Sequence, residues 1–152
     1  MKVIVQRAID ASVKVNEKIV GSIPKGIVLL VGFTAGDNEE TIKKMASKII
    51  NLRIFEDDNG KMNLALKDVN GQILSISQFT LYATLDGRRP SFTKALNYND
   101  AKDLYEVFNN ELKKYDIIVE TGIFGEDMKV NFTNDGPVTI IIDSKVDLWI
   151  RE

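Results

Sequence analysis

The sequence predicts an α+β fold: a single domain over residues 1–152, with a mixed or antiparallel sheet curled into a barrel-like core and two main helices. Three observations carry this. Segments rich in Val and Ile alternate with only two stretches of helical periodicity, in the order strands, helix, strands, helix, strands, whereas a βαβ protein would alternate throughout. A chain of 152 residues is one domain long and can bury roughly two thirds of its unfolded surface. No repeat, low-complexity stretch or linker divides it.

The elements follow in order. Residues 1–9 read as a strand. Residues 12–15 and 19–23 flank Asn16-Glu17-Lys18 as a hairpin, with Gly21 near its end. Residues 25–33 are almost continuously apolar, the mark of a strand buried on both faces. Asp37 can cap a helix whose first turn holds Glu39 and Glu40 and whose inner face is Ile42, Met45, Ala46, Ile49 and Ile50. Residues 53–55 form a short strand before the turn Asp57-Asp58-Asn59-Gly60, and 72–82 a second central strand. Asn99 or Asp100 caps a second helix with Ala101, Leu104, Tyr105, Phe108 and Leu112 on one face. Residues 117–121, 129–133 and 138–142 complete the strands.

Composition excludes more than it proposes. With 0 His and 0 Cys there is no disulfide, no imidazole or thiolate metal site, no Cys nucleophile and no triad with an imidazole base. Chemistry is left to carboxylates, Lys, Tyr, Ser/Thr, backbone dipoles or the substrate. The 20 Lys+Arg against 22 Asp+Glu give a net charge of −2, so a polyanion could be held only by a local basic patch. Lys2 precedes a strand-like segment rather than a signal-peptide core, and the longest apolar run, 27–31, is far too short to span a bilayer. A cytosolic protein is expected.

Walker A, GxGxxG and HExxH motifs are absent. The turn at 57–60 looks faintly like a calcium loop but lacks the alternating ligands and terminal Glu, so no metal or cofactor is expected. Two segments stand out. Ser77-Gln78-Phe79-Thr80-Leu81 puts polar residues at the end of a buried strand; they are either satisfied hydroxyls at a strand end or part of a site. Asn134-Asp135-Gly136-Pro137-Val138-Thr139 is either a turn between two strands or a rigid backbone feature presenting carbonyls to a ligand. Arg88 and Arg89, beside Pro90, read either as a solvated loop or as a phosphate contact.

Together, 77–81 and 134–139 resemble the two signatures, SQxTL and NxGPxT, of the D-aminoacyl-tRNA deacylases (D-tyrosyl-tRNA deacylase). The resemblance continues in order through Val5-Gln6-Arg7, Ala11-Ser12-Val13, Leu52-Arg53-Ile54-Phe55, Gly60-Lys61-Met62-Asn63, Arg89-Pro90-Ser91-Phe92 and Thr121-Gly122-Ile123-Phe124-Gly125. Glu126 and the tail from Ser144 to Glu152 depart from the family pattern.

The resemblance implies a cytosolic homodimer with active sites at the dimer interface. It implies hydrolysis of the ester joining a D-amino acid, or glycine mischarged onto alanine tRNA, to the 3′-terminal adenosine. In that picture Ser77, Gln78, Phe79 and Thr80 line the catalytic pocket. Gly136–Pro137 is a cis peptide that enters the partner's pocket and rejects L-amino acids, and Arg7 holds it there. An aminoacyl ester is already activated, so the enzyme must mainly position a water and stabilise an oxyanion. Backbone N–H groups near Phe79 and Thr80 are candidate donors, and the vicinal 2′-OH of the ribose is a candidate base. A clash in a compliant pocket is worth only ~1–3 kcal/mol, or about 5–150-fold, so the chiral wall has to be rigid backbone. The rivals are Thr80 as covalent nucleophile, a general esterase, and a non-catalytic module that binds an RNA end or a small ligand.

Overall fold

The computed structural model describes residues 1–148. β1 (Lys2–Val15) and β2 (Lys18–Gly32) pair as one long antiparallel hairpin. Its tip is Asn16-Glu17, both at positive φ, the geometry that matches strand twist. The segments read as 1–9 and 12–15 are thus one strand, bent where Asp10 takes a φ of 51°.

α1 (Glu39–Ile50) buries Ile42, Met45, Ala46, Ile49 and Ile50, the face read from the sequence. Its cap is Asn38, whose side chain accepts from Thr41 N, and not Asp37. Asp37 is occupied elsewhere: its carboxylate accepts from Thr34 N at 2.8 Å and meets the Met1 ammonium at 2.7 Å. β3 (Phe55–Glu56) and β4 (Met62–Leu64) form a small ribbon around the acidic turn, where Asp57 Oδ1 accepts from Asn59 N and Lys61 N.

β5 (Gln72–Ser77) runs parallel to β2 and stops five residues short of the expected 72–82 strand; Phe79–Tyr82 instead form a 3₁₀ turn. α2 (Tyr98–Lys113) is capped by Asn97 rather than Asn99 or Asp100, through an Asp100 N to Asn97 Oδ1 bond of 3.0 Å. β6 (Val119–Thr121) lies parallel to β5. β7 (Lys129–Asp143) is a single strand antiparallel to β1 where two were expected, followed by the short α3 (Ser144–Asp147).

The sheet order is β6-β5-β2-β1-β7. β2 occupies its centre, and period-2 alternation lets one strand feed two cores. Ile27, Leu29 and Val31 face the helices, with Phe108 and Met45 among their neighbours; Val28 and Leu30 face a smaller cluster with Ala8, Val13, Leu74 and Ile76. The sheet curls enough to bring the first half of β2 beside β6, where Ser22 N reaches Glu120 Oε1 at 3.5 Å. No ladder joins them, so the barrel-like curl remains an open mixed sheet with β6 and β7 as edges. Among the described residues no helix is long and apolar enough to cross a membrane.

Candidate functional site

A cavity of about 580 Å³ opens at the carboxyl ends of β2 and β5. Parallel strands leave their last backbone groups unpaired at such an end, which is where open mixed sheets place ligands. Val31, Gly32 and Phe33 form the floor with Ser77. Gly32 is required by packing: a Cβ there would stand 3.0 Å from the Gln78 carbonyl oxygen and 3.1 Å from Leu81 Cβ. Gln78 N donates to Val31 O at 2.7 Å, which closes β2 onto the turn that follows β5.

The far wall comes from the start of α2 and the loop into β7, including Tyr98, Ala101, Phe124 and Met128. Phe124 is held by edge contact with Tyr98 (5.1 Å) and a tilted contact with Tyr105 (5.7 Å). At the mouth Phe79, 57% exposed, meets Phe92 edge to face at 5.1 Å. Two exposed aromatic rings bordering an apolar cavity form a surface on which a nucleobase can stack.

Ser77, Gln78 and Phe79 therefore line one cavity. Thr80 sits on the next step of the turn, exposed, and its hydroxyl accepts from Gln78 Nε2 at 2.7 Å. An amide N–H cannot take a proton from that hydroxyl. The Phe79 and Thr80 N–H groups open the 3₁₀ turn, where the first donors have no intrahelical acceptor. Burial pushes the Tyr105 phenol up, and burial with Asp37 and Asp143 nearby pushes the Tyr82 phenol up, so both stay protonated near neutral pH. Among the described residues no three acidic side chains converge as metal ligands.

The other predicted residues gather elsewhere. Gln6 pairs with Thr139 and Ala8 with Asn134, so β1 advances two residues while β7 advances five. The excess forms a bulge containing the cis Gly136–Pro137 bond, and both residues are exposed. Arg7 stands opposite, its side chain 7% exposed. Its Nε donates to Asp135 O at 2.8 Å and its Nη1 to Ile54 O at 2.9 Å; Asp135 and Glu56 carboxylates lie 3.7 and 3.8 Å away. Asn134 Oδ1 accepts from Val138 N at 3.1 Å, and Asn134 Nδ2 donates to Thr139 Oγ1 at 3.0 Å. Gly136, at a φ of 134°, has no room for a side chain: a Cβ would stand 2.8 Å from Val138 Cγ2 and 3.0 Å from Arg7 Nη2.

Arg7 faces Ile27 across β1 and β2, five residues before Gly32. That separation and two to three strand spacings put the bulge roughly 20 Å from the chain's own cavity. The structure thus unites Ser77, Gln78 and Phe79, unites Arg7, Gly136 and Pro137, and keeps the two groups apart. Sequence reasoning gave no bracing role to Asn134 and Thr139, though they are the fixed ends of NxGPxT. It also passed over Tyr98, Phe124 and Glu126 as lining residues, for which only the segment resemblance at 121–125 was a signal.

These features define an α+β protein with an aromatic-mouthed cleft at its strand ends and a separately braced backbone bulge on its edge strand. The chain belongs to the D-Tyr-tRNA(Tyr) deacylase family, whose model matches residues 4–143. It is 54% identical over 144 residues to a D-aminoacyl-tRNA deacylase of Lactobacillus gasseri, covering 94% of this chain and 99% of the relative. It is 52% identical over 146 residues to one of Thermosipho africanus, covering 95% and 98%. A solved structure of a c-Myc DNA Unwinding Element Binding Protein superposes with a TM-score of 0.89 at 38% identity, covering 94% of this chain and 98% of that one.

Removing the Arg7 guanidinium strands the Ile54 carbonyl and frees the bulge. Arg7→Met should cost about 2–4 kcal/mol in urea unfolding at unchanged m-value. Arg7→Lys should recover less than half of it, because a point ammonium cannot serve two diverging carbonyls. A loss below 0.5 kcal/mol for Arg7→Met, roughly the scale of a surface substitution, would contradict the bracing role.

Proposed function

We propose that the protein is a cytoplasmic D-aminoacyl-tRNA deacylase that hydrolyses the ester between a D-amino acid, or mischarged glycine, and the 3′-terminal adenosine of tRNA. Family membership over residues 4–143 carries this reading. The cavity gives it a chemical form: the terminal adenine stacks at Phe79 and Phe92, and the aminoacyl group enters beside Ser77 and Gln78.

The bond to be broken is an activated ester, so the required work is positioning and charge stabilisation. The Phe79 and Thr80 N–H groups are placed to meet a developing oxyanion. The ribose 2′-OH assists the attacking water, because Thr80's hydroxyl is bonded to an amide donor and the buried phenols remain protonated. No cofactor or metal takes part in this mechanism.

Selection against L-substrates falls to Gly136–Pro137. Their distance from the chain's own cavity supports a homodimer in which each bulge completes the partner's site. The exposed edge of β7 supports the same arrangement, since Ile141 is 67% exposed on a strand paired on one side alone. Asn134, Thr139 and Arg7 then make the wall rigid, so an L side chain meets backbone that cannot yield.

Single-turnover deacylation should release D-tyrosine from D-tyrosyl-tRNA and leave matched L-tyrosyl-tRNA at its spontaneous rate; equal rates on both would sink the reading. Tight binding of charged tRNA without hydrolysis would assign instead a nucleic-acid-binding role, which the name of the 38%-identical structure carries for that protein. Thr80→Ala should keep kcat within about tenfold, the low end of what a lost catalytic proton transfer costs. Complete loss in a folded Thr80→Ala protein, with an acyl-enzyme trapped in wild type, would restore the covalent mechanism.

A further inference from the structure

The cavity carries a charge pattern that neither motif accounts for. Its lining includes two charged residues, Glu126 and Asp127, both acidic, and no Lys or Arg. Asp127 is committed to Lys129 at 2.7 Å. Glu126 has no ion-pair partner among the described residues. The loop that bears it is well anchored: Glu126 N donates to Ile123 O at 3.2 Å, and Phe124 is wedged between Tyr98 and Tyr105.

A free carboxylate is a poor choice for the lining of a site that receives an RNA end, because it repels the phosphates. One group at that end of the substrate has the opposite sign. The α-amino group of an aminoacyl ester is cationic at and below neutral pH. Resting on the function proposed above, we infer that Glu126 is a specificity-determining residue that receives the substrate's α-ammonium and makes the cavity selective for an aminoacyl group with a free amine. The contact is made in the ground state and the transition state alike, so it acts on KM and not on kcat.

The test compares wild type and Glu126→Gln on two tRNA esters at about pH 6.5, where the amine is protonated. One is D-tyrosyl-tRNA. The other carries 3-(4-hydroxyphenyl)propionate, the same acyl group with hydrogen in place of the amine, which is smaller and must fit. Taking each variant's ratio to wild type on the same ester cancels the different reactivity of the two esters. Glu126→Gln should raise KM for D-tyrosyl-tRNA about fivefold, the upper end for an exposed ion pair, with kcat within twofold. It should leave kcat/KM for the des-amino ester unchanged or slightly improved, as phosphate repulsion is relieved. Equal losses on both esters, or no loss on either, would overturn the inference. So would a fall in kcat on both, which would make Glu126 a general base. Failure of wild type to hydrolyse D-tyrosyl-tRNA would overturn the function itself, a result separable from all of these.

Discussion

The guanidinium of Arg7 is the interaction around which the edge of this protein is arranged. A charge 7% exposed must be hydrogen-bonded to be tolerated, and Arg7 meets that demand with two backbone carbonyls, of Asp135 and Ile54, with carboxylates at longer range. One carbonyl belongs to the β7 bulge and the other to the segment leading into β3. The bulge therefore takes its position from the sheet interior and not from its own loop residues. Asn134 and Thr139 tie its two ends together, so that an exposed Gly–Pro pair behaves as part of the framework.

The cavity follows a different logic. With no imidazole and no thiol in the chain, strong bases and nucleophiles are missing, and what the fold provides is placement. β2 and β5 end side by side because they are parallel, and Gln78 N bonded to Val31 O fixes the turn that carries Phe79 and Thr80. Such a site suits a substrate that brings its own leaving-group activation and its own hydroxyl. It is poorly suited to an unactivated ester, which separates a deacylase from a general esterase on chemical grounds.

Much of this was legible in the sequence, for identifiable reasons. The inner faces of α1 and α2 appear as 3.6-residue periodicity, and residues 27–31 announce a strand buried on both faces. Caps were misplaced because Asn38 and Asn97 stand next to equally good capping residues, and only tertiary contacts show that Asp37 is engaged with Met1 and Thr34. The expected 72–82 strand runs past Ser77 because 3₁₀ turns have no distinct apolar period. Asn134–Thr139 are turn formers in composition, yet they lie inside β7, since the same residues that make turns also make bulges. Glu126 carried no positive signal: a lone exposed carboxylate acquires meaning only when the cavity around it is seen to lack cations.

The central claim is that each working site joins one chain's cavity to another chain's bulge, and subunit complementation tests it most directly. Gly136→Ala disables the wall and Phe79→Ala disables the cavity; each homodimer should be nearly inactive on D-tyrosyl-tRNA. In a mixed dimer, the intact cavity of the Gly136→Ala chain meets the intact bulge of the Phe79→Ala chain. Refolding an equimolar mixture should therefore restore about a quarter of wild-type activity, because half the dimers are mixed and each has one good site. If both elements acted within one chain, every site in the mixture would keep a defect, and a mixture no more active than its parents would contradict the account.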